Sequence, residues 1–221
     1  MGRNGLIAVV LVLLGGSVAA FAWTEKLKLN PVPVTKVRFE RHFSPTCGCR
    51  RATSRLIFRL RHPERLDVSI VDADGAHVAT LAQGQDVPEG RVTFKWNGRD
   101  ENGRVVPDGS YRAKVRLEHA RRTILIASLI HVDTVPPHAR VLALHGGAGV
   151  DLRYLSTEAA RPLLLVDGKV VFRGERTPLG RARLEWPGPW PGSGPYTVML
   201  VLVDRAGNRS PPTKPIVVEG S

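Results

Sequence analysis

Cysteine is almost absent from this chain: 221 residues contain two, Cys47 and Cys49, in "SPTCGCRR". One Cys-x-Cys with no second pair supplies too few ligands for a structural zinc site. Acid is also scarce, with 20 Asp and Glu against 32 Lys and Arg. Nucleic acid is nevertheless disfavoured as a partner, because no recognition helix or aromatic-stacking motif accompanies the charge. Catalytic signatures are missing too. The histidines (42, 62, 77, 119, 131, 138 and 145) never pair at i, i+2 or i, i+4, and no His-Glu-x-x-His occurs, so they read as surface or strand residues. "LHGGAG" lacks the Gly-Lys-Ser/Thr of a phosphate loop and precedes "VDLRYL", not a helix, so it reads as a loop. No serine sits in a Gly-x-Ser-x-Gly setting. We read the chain as non-enzymatic, with no cofactor and no metal.

A helical period is likewise missing past residue 30, and "STEAARPLLLV" is stopped by Pro162. Period two takes its place. "RLIFRLR" sets Leu56, Phe58 and Leu60 on one face and Ile57, Arg59 and Arg61 on the other. "RLDVSIVD" groups Leu66, Val68 and Ile70; "RVTFKW" groups Val92, Phe94 and Trp96. "YRAKVRL" opposes Tyr111, Ala113, Val115 and Leu117 to Arg112, Lys114 and Arg116. Apolar residues on one face and charges on the other mark half-buried antiparallel strands. With Gly, Asn, Asp and Pro clusters between them, they predict an all-β fold of two Ig-like antiparallel β-sandwiches after an N-terminal hydrophobic helix.

Turn chemistry is dense in "FKWNGRDENGRVVPDGSYRAKV", which holds Asn97-Gly98, Asn102-Gly103 and Asp108-Gly109. Asn and Asp tolerate positive φ and Gly takes it freely, so each pair suits a tight reversal between Trp96 and Tyr111. Pro107 presets φ for the third. "DADG" and "DENG" bring oxygens together as calcium loops do, but neither continues into the twelve-residue pattern with a distal Glu. They read as turns.

The pair Pro136-Pro137 in "VDTVPPHAR" stiffens a linker. Beyond it, "LEWPGPWPGSGPYTVMLVLVDRAGNRS" repeats the order Trp, glycine turns, Gly-x-Tyr, alternating strand. Asp167-Gly168 is a two-residue hairpin signal. The expected organisation is residues 1–30 as leader and linker, 36–135 as one sandwich and 137–219 as a second.

The leader, "MGRNGLIAVVLVLLGGSVAAFAW", has Arg3 as its only charged side chain and an apolar or small-residue run over 5–23. As a signal peptide it offers the small-x-small triplet Ala20-Phe21-Ala22 for cleavage after Ala22. As an uncleaved anchor, its length at ~1.5 Å per residue covers roughly the ~30 Å hydrocarbon core. Because the apolar run continues through the cleavage region, we favour the anchor. Lys26, Lys28, Lys36 and Arg38 after the run favour a cytoplasmic body by the positive-inside rule. A short leader with a small-x-small triplet argues for export, and export is our reading.

The residues from "VSIVDADGAHVATL" through "FKWNGRDENGRVVPDGSYRAKV" resemble the Ig-like domain of the flagellar hook-capping (FlgD-type) family. Asp72, Gly75, Val78, Thr80, Leu81, Trp96, Asn97, Gly98, Asp100, Gly103, Val106, Pro107, Gly109 and Tyr111 carry that resemblance, over residues 60 to 132. It implies a β-sandwich module found in exported bacterial proteins. It does not imply hook capping, because an apolar leader stands where that family has a helical hook-binding region. "VLVDRAGNRSPP" is similar to the last strand of bacterial Ig-like surface domains.

Two features remain. Outside the cytoplasm two lone thiols favour a Cys47–Cys49 disulfide, which Gly48 would let close. Free thiols, a cross-link to another copy or a redox pair are the alternatives. Second, residues 36–62 hold Lys36, Arg38, Arg41, Arg50, Arg51, Arg55, Arg59 and Arg61 against Glu40 alone. That segment could meet anionic lipid headgroups or an acidic wall polymer, or be a solvated strand face. The expected protein is therefore membrane-associated through residues 5–23 and extracytoplasmic, and works as a structural or adhesive module toward a protein or cell-envelope polymer. Polyanion binding through residues 36–62 is the first alternative, and a thiol redox accessory role the remote one.

Overall fold

The computed structural model describes residues 12–17, 33–192 and 194–220. Residues 12–17 are helical, and every other element described is a strand or a short loop. No helix among the described residues is long and apolar enough to cross a membrane, and most of the apolar run 5–23 lies outside them.

In chain order the first nine strands are β1 (Val34–Phe39), β2 (His42–Phe43), β3 (Ser54–Leu60), β4 (Glu64–Val71), β5 (His77–Val87), β6 (Gly90–Trp96), β7 (Gly109–Leu117), β8 (Arg122–Leu125) and β9 (Ile130–Val132). They form a three-stranded sheet, β1-β3-β6, and a second in the order β2-β9-β7-β4-β5, with β8 folded back on β7. All pairings are antiparallel except β2 with β9. Alternation decides which side faces in. Leu56, Phe58 and Leu60 of β3 and Val92, Phe94 and Trp96 of β6 share one apolar core with Leu66, Val68 and Ile70 of β4 and Tyr111, Ala113, Val115 and Leu117 of β7. The aromatic centre is closely packed. Trp96 lies edge-on to Phe43 and to Tyr111, at centroid distances of 5.4 and 5.1 Å. Such pairs add to simple burial because ring edges and faces carry opposite partial charge.

The remaining strands are β10 (Ala139–Gly146), β11 (Val150–Ser156), β12 (Arg161–Val166), β13 (Lys169–Arg173), β14 (Gly180–Trp186), β15 (Gly194–Val203) and β16 (Ile216–Gly220). Their sheets, β10-β11-β14 and β13-β12-β15-β16, follow the same path as β1-β3-β6 and β5-β4-β7-β9. The sequence repeat is thus also a topological one. Asp167 and Gly168 both take positive φ, as a tight hairpin between β12 and β13 demands. Their core joins Leu152, Tyr154, Leu164, Leu184, Trp186, Tyr196, Val198 and Leu200. Strand β12 departs from alternation. Its other face buries Leu163 and Leu165 with Val201 in a separate small cluster, so "PLLLV" reads as an unbroken apolar run.

Candidate functional site

The glycine-rich turns between β6 and β7 divide by role. Gly98 and Gly103 take positive φ (71° and 75°), the left-handed region that favours glycine. Gly98 has a second constraint: a Cβ there would lie 2.2 Å from the Pro45 ring and 3.1 Å from Phe43. Gly109 differs from the sequence expectation. It has no positive φ and instead opens β7, paired with Val132. The Asp108 carboxylate beside it accepts the Thr134 N–H at 2.9 Å, tying this loop to the inter-unit linker.

Three loops share one Asp-x-x-Gly-x design. Asp72 Oδ1 accepts from the N–H groups of Asp74 and Ala76; Asp100 Oδ1 accepts from those of Asn102 and Arg104. Asp204 Oδ1 accepts from Gly207 and Asn208. In each the Gly (Gly75, Gly103, Gly207) takes positive φ. The carboxylates in "DADG" and "DENG" are therefore engaged by their own backbone, as Asx turns require. The backbone N–H of Arg104, foremost, holds the Asp100 carboxyl below its ordinary range.

At the junction of the two units the hydrogen bonding is long-range. Asn208, buried, donates its side-chain amide to the Asp133 carbonyl (2.8 Å), the Val135 carbonyl (3.4 Å) and Asp204 Oδ2 (2.7 Å). Pro136 and Pro137 have no N–H, and Asn208 supplies a donor to the carbonyls preceding them. Arg51 bonds the Arg205 carbonyl across the same seam. Cys47 and Cys49 are joined by a disulfide with Cα atoms 5.2 Å apart, and Gly48 between them takes positive φ. This loop lies against the second unit, since a Cβ on Gly207 would come within 2.6 Å of Cys49 Sγ.

Beside it Asp133, Glu158 and Asp204 bring carboxylate oxygens within 4.8 Å of one another, a group not evident in the sequence. Asp204 accepts from the Gly207 and Asn208 N–H groups and from the Asn208 amide, and Asp133 Oδ1 accepts from the Val135 N–H. Burial, then the charges of Asp204 and Asp133, push Glu158 up to about 7 against the pull of Arg176. Burial likewise raises Asp133. Within the first unit His42 of β2 stacks on His131 of the paired strand β9, with centroids 4.8 Å apart. Burial, then His131, Arg205, Arg51 and Arg41, lowers its pKa and favours the neutral ring.

The basic segment 36–62 is split by the fold. Lys36, Arg38 and Arg59 meet around one hollow of about 230 Å³, and Arg55 lies further along the same outer face of β3. Arg41 lies in the turn between β1 and β2, Arg50 and Arg51 in the β2–β3 loop that holds the disulfide, and Arg61 follows the end of β3. Two cations outside that segment, Arg91 and Lys95, stand opposite Arg59 and Arg55 in the β3–β6 register. Strand pairing supplies them, so the 36–62 window did not reveal them.

Tyr111 distinguishes the first unit. Its hydroxyl donates to the Pro107 carbonyl at 2.7 Å, the corner that locks a tyrosine at the start of such a strand to the chain just before it. This corner sits within the stretch whose spacing carries the family pattern. Residues 52–120 match the FlgD Ig-like domain. The FlgD Ig-like match thus spans β3 to β7, with Trp96 and Tyr111 in its second half. Among solved structures, FlgD from P. aeruginosa is 19% identical, covering 55% of this chain and 86% of that one, with a TM-score of 0.32. The fibronectin(III)-like modules of Clostridium thermocellum CbhA are 15% identical, covering 84% and 94% with a TM-score of 0.45. No curated protein matches the chain.

Proposed function

We propose that the chain is a non-enzymatic structural or adhesive protein of the cell envelope: a membrane-anchored stalk holding two tandem Ig-like β-sandwiches outside the cytoplasm. The observation that carries this reading is the seam. Asn208, Arg51 and the disulfide loop tie the second unit to the first through side chain–backbone bonds and close packing. A seam of this kind suits a stalk that keeps a fixed spacing between an anchor and a partner. The FlgD Ig-like match and the repeated sheet path support a modular interaction protein. The leader run over 5–23 supports the anchor.

Residues 1–35 fused to a reporter active only outside the cytoplasm test the location. Activity there, with the full chain resisting alkaline extraction from membranes, is the expected result. A fusion active only inside, or a chain released by the wash, overturns it. Polyanion binding is a second reading, favoured by one observation: Lys36, Arg38, Arg59 and Arg91 converge around a single hollow.

A further inference from the structure

The outer face of the β1-β3-β6 sheet differs in charge from the other outer faces. Between Arg38 of β1, Arg55 and Arg59 of β3, and Arg91 and Lys95 of β6, the outward strand positions hold Thr35, Ile57 and Thr93 and no acid. Lys36 joins them at the β1 irregularity. Glu40 alone approaches, and Arg55 takes it with Nη2 2.6 Å from Oε1. Among the described residues the other five cations have no acidic partner within salt-bridge distance. Elsewhere the charges are mixed: Arg116 faces Asp67 on the opposite sheet, and Arg183 bonds Asp151 and Glu185 on the β11–β14 face.

The cations are also regularly spaced. Neighbouring strands lie ~4.8 Å apart and outward residues repeat every ~6.7 Å along a strand. Arg55 with Lys95 and Arg59 with Arg91 therefore form two rungs about 13 Å apart, and Arg38 extends the array across β1. The hollow among them, at about 230 Å³, falls below the ~300–1,000 Å³ of pockets that enclose a ligand. A broad, shallow cationic face suits a surface of anions.

Position selects which surface. Only residues 24–33 separate the apolar leader from β1, which is itself an edge of the cationic sheet. Ten residues span at most ~36 Å. A chain anchored by 5–23 therefore holds this face within reach of the bilayer at high local concentration. We propose that the outer face of β1-β3-β6 docks on anionic phospholipid headgroups of the membrane in which the leader is anchored. The inference rests on the anchored reading above. Docking lays the first sandwich against the bilayer and leaves the second, joined through the seam, directed by the first.

The test uses the full chain with Thr93→Cys, at the centre of the face, carrying a fluorescent donor, and vesicles with an acceptor on the headgroups. Energy transfer is expected to be low in phosphatidylcholine and to rise when phosphatidylglycerol is included. It should fall again near 0.5 M salt, where the screening length is about 4 Å. The Arg38→Gln, Arg59→Gln and Arg91→Gln variants should each cut the docking equilibrium constant about fivefold, the equivalent of the ~1 kcal/mol expected per cation at such a surface. Lys114→Gln and Lys169→Gln, exposed elsewhere, should change nothing. Equal losses from those two would mean net charge alone is acting and would sink the proposal. Transfer indifferent to phosphatidylglycerol, from chains that still float with vesicles after an alkaline wash, overturns the face and leaves the anchor. Chains that do not float with phosphatidylcholine but bind phosphatidylglycerol in an arginine-dependent, salt-sensitive way overturn the anchor and leave the face. Binding of soluble polyphosphate without any phosphatidylglycerol effect would reassign the face to a polymer.

Discussion

Tyr111 and Tyr196 occupy corresponding places, each in the strand that follows the Trp and glycine turns of its unit, and removing their hydroxyls should have opposite effects. Both rings are buried. Tyr111 donates to the Pro107 carbonyl at 2.7 Å, whereas the Tyr196 hydroxyl is buried with no hydrogen-bond partner among the described residues. Tyr111→Phe loses a hydrogen bond worth ~0.5–1.5 kcal/mol net. Pro107 is exposed, so water can reach the freed carbonyl and the loss should stay near ~1 kcal/mol. In a unit of this size that lowers the melting temperature by ~4–8 °C. Tyr196→Phe instead removes a dehydrated polar atom whose burial costs ~1–3 kcal/mol. The Phe ring would keep its stacking on Trp190, at a centroid distance of 4.7 Å, so the variant should gain about 1 kcal/mol, the lower end of that range. Urea and thermal denaturation of both variants beside the parent decide the matter. Losses of similar size at both positions would refute the argument, since the hydroxyls would then have equivalent surroundings.

Trp96→Ala should cost ~3–5 kcal/mol, because it empties the centre of the first core. Asp100→Ala, on the exposed turn, should cost far less; equal shifts in denaturant midpoint would contradict the strand phase. Glu158 is held near 7, above its ordinary 4.5, so the folded chain binds an extra proton between those values. Stability should be greatest below about pH 4.5 as far as this group is concerned and fall as pH rises through 7. Glu158→Gln should flatten that decline between pH 5 and 8; an unchanged slope would rule the cause out. Intact mass of the non-reduced protein should show a monomer lighter than the dithiol by two hydrogens, and reduction should barely move the melting temperature because the Cys47–Cys49 ring is so short. A reducible dimer would refute the intrachain bond.

The strands and their inward faces were legible in the sequence because period two is a local property: Leu56, Phe58 and Leu60 face in wherever β3 lies. The Asp-x-x-Gly turns were legible for the same reason, since Asp72 and Asp100 bind N–H groups within four residues. The second copy of the sandwich could be read from Trp186 and Tyr196 in the same order as Trp96 and Tyr111. Gly109 was misread because the preference of Gly for positive φ is a permission and not a requirement; pairing with Val132 placed it in extended backbone. What the tertiary structure decided lies between segments distant in the chain. The register of β3 against β6 set Arg91 and Lys95 beside Arg59 and Arg55, and the meeting of the two units took Arg51 to the Arg205 carbonyl. Folding of the second unit against the linker brought Glu158 and Asp204 to Asp133, separated by 25 and 71 positions in sequence. Such groupings depend on which strands pair and how two sandwiches meet, and no local period encodes either.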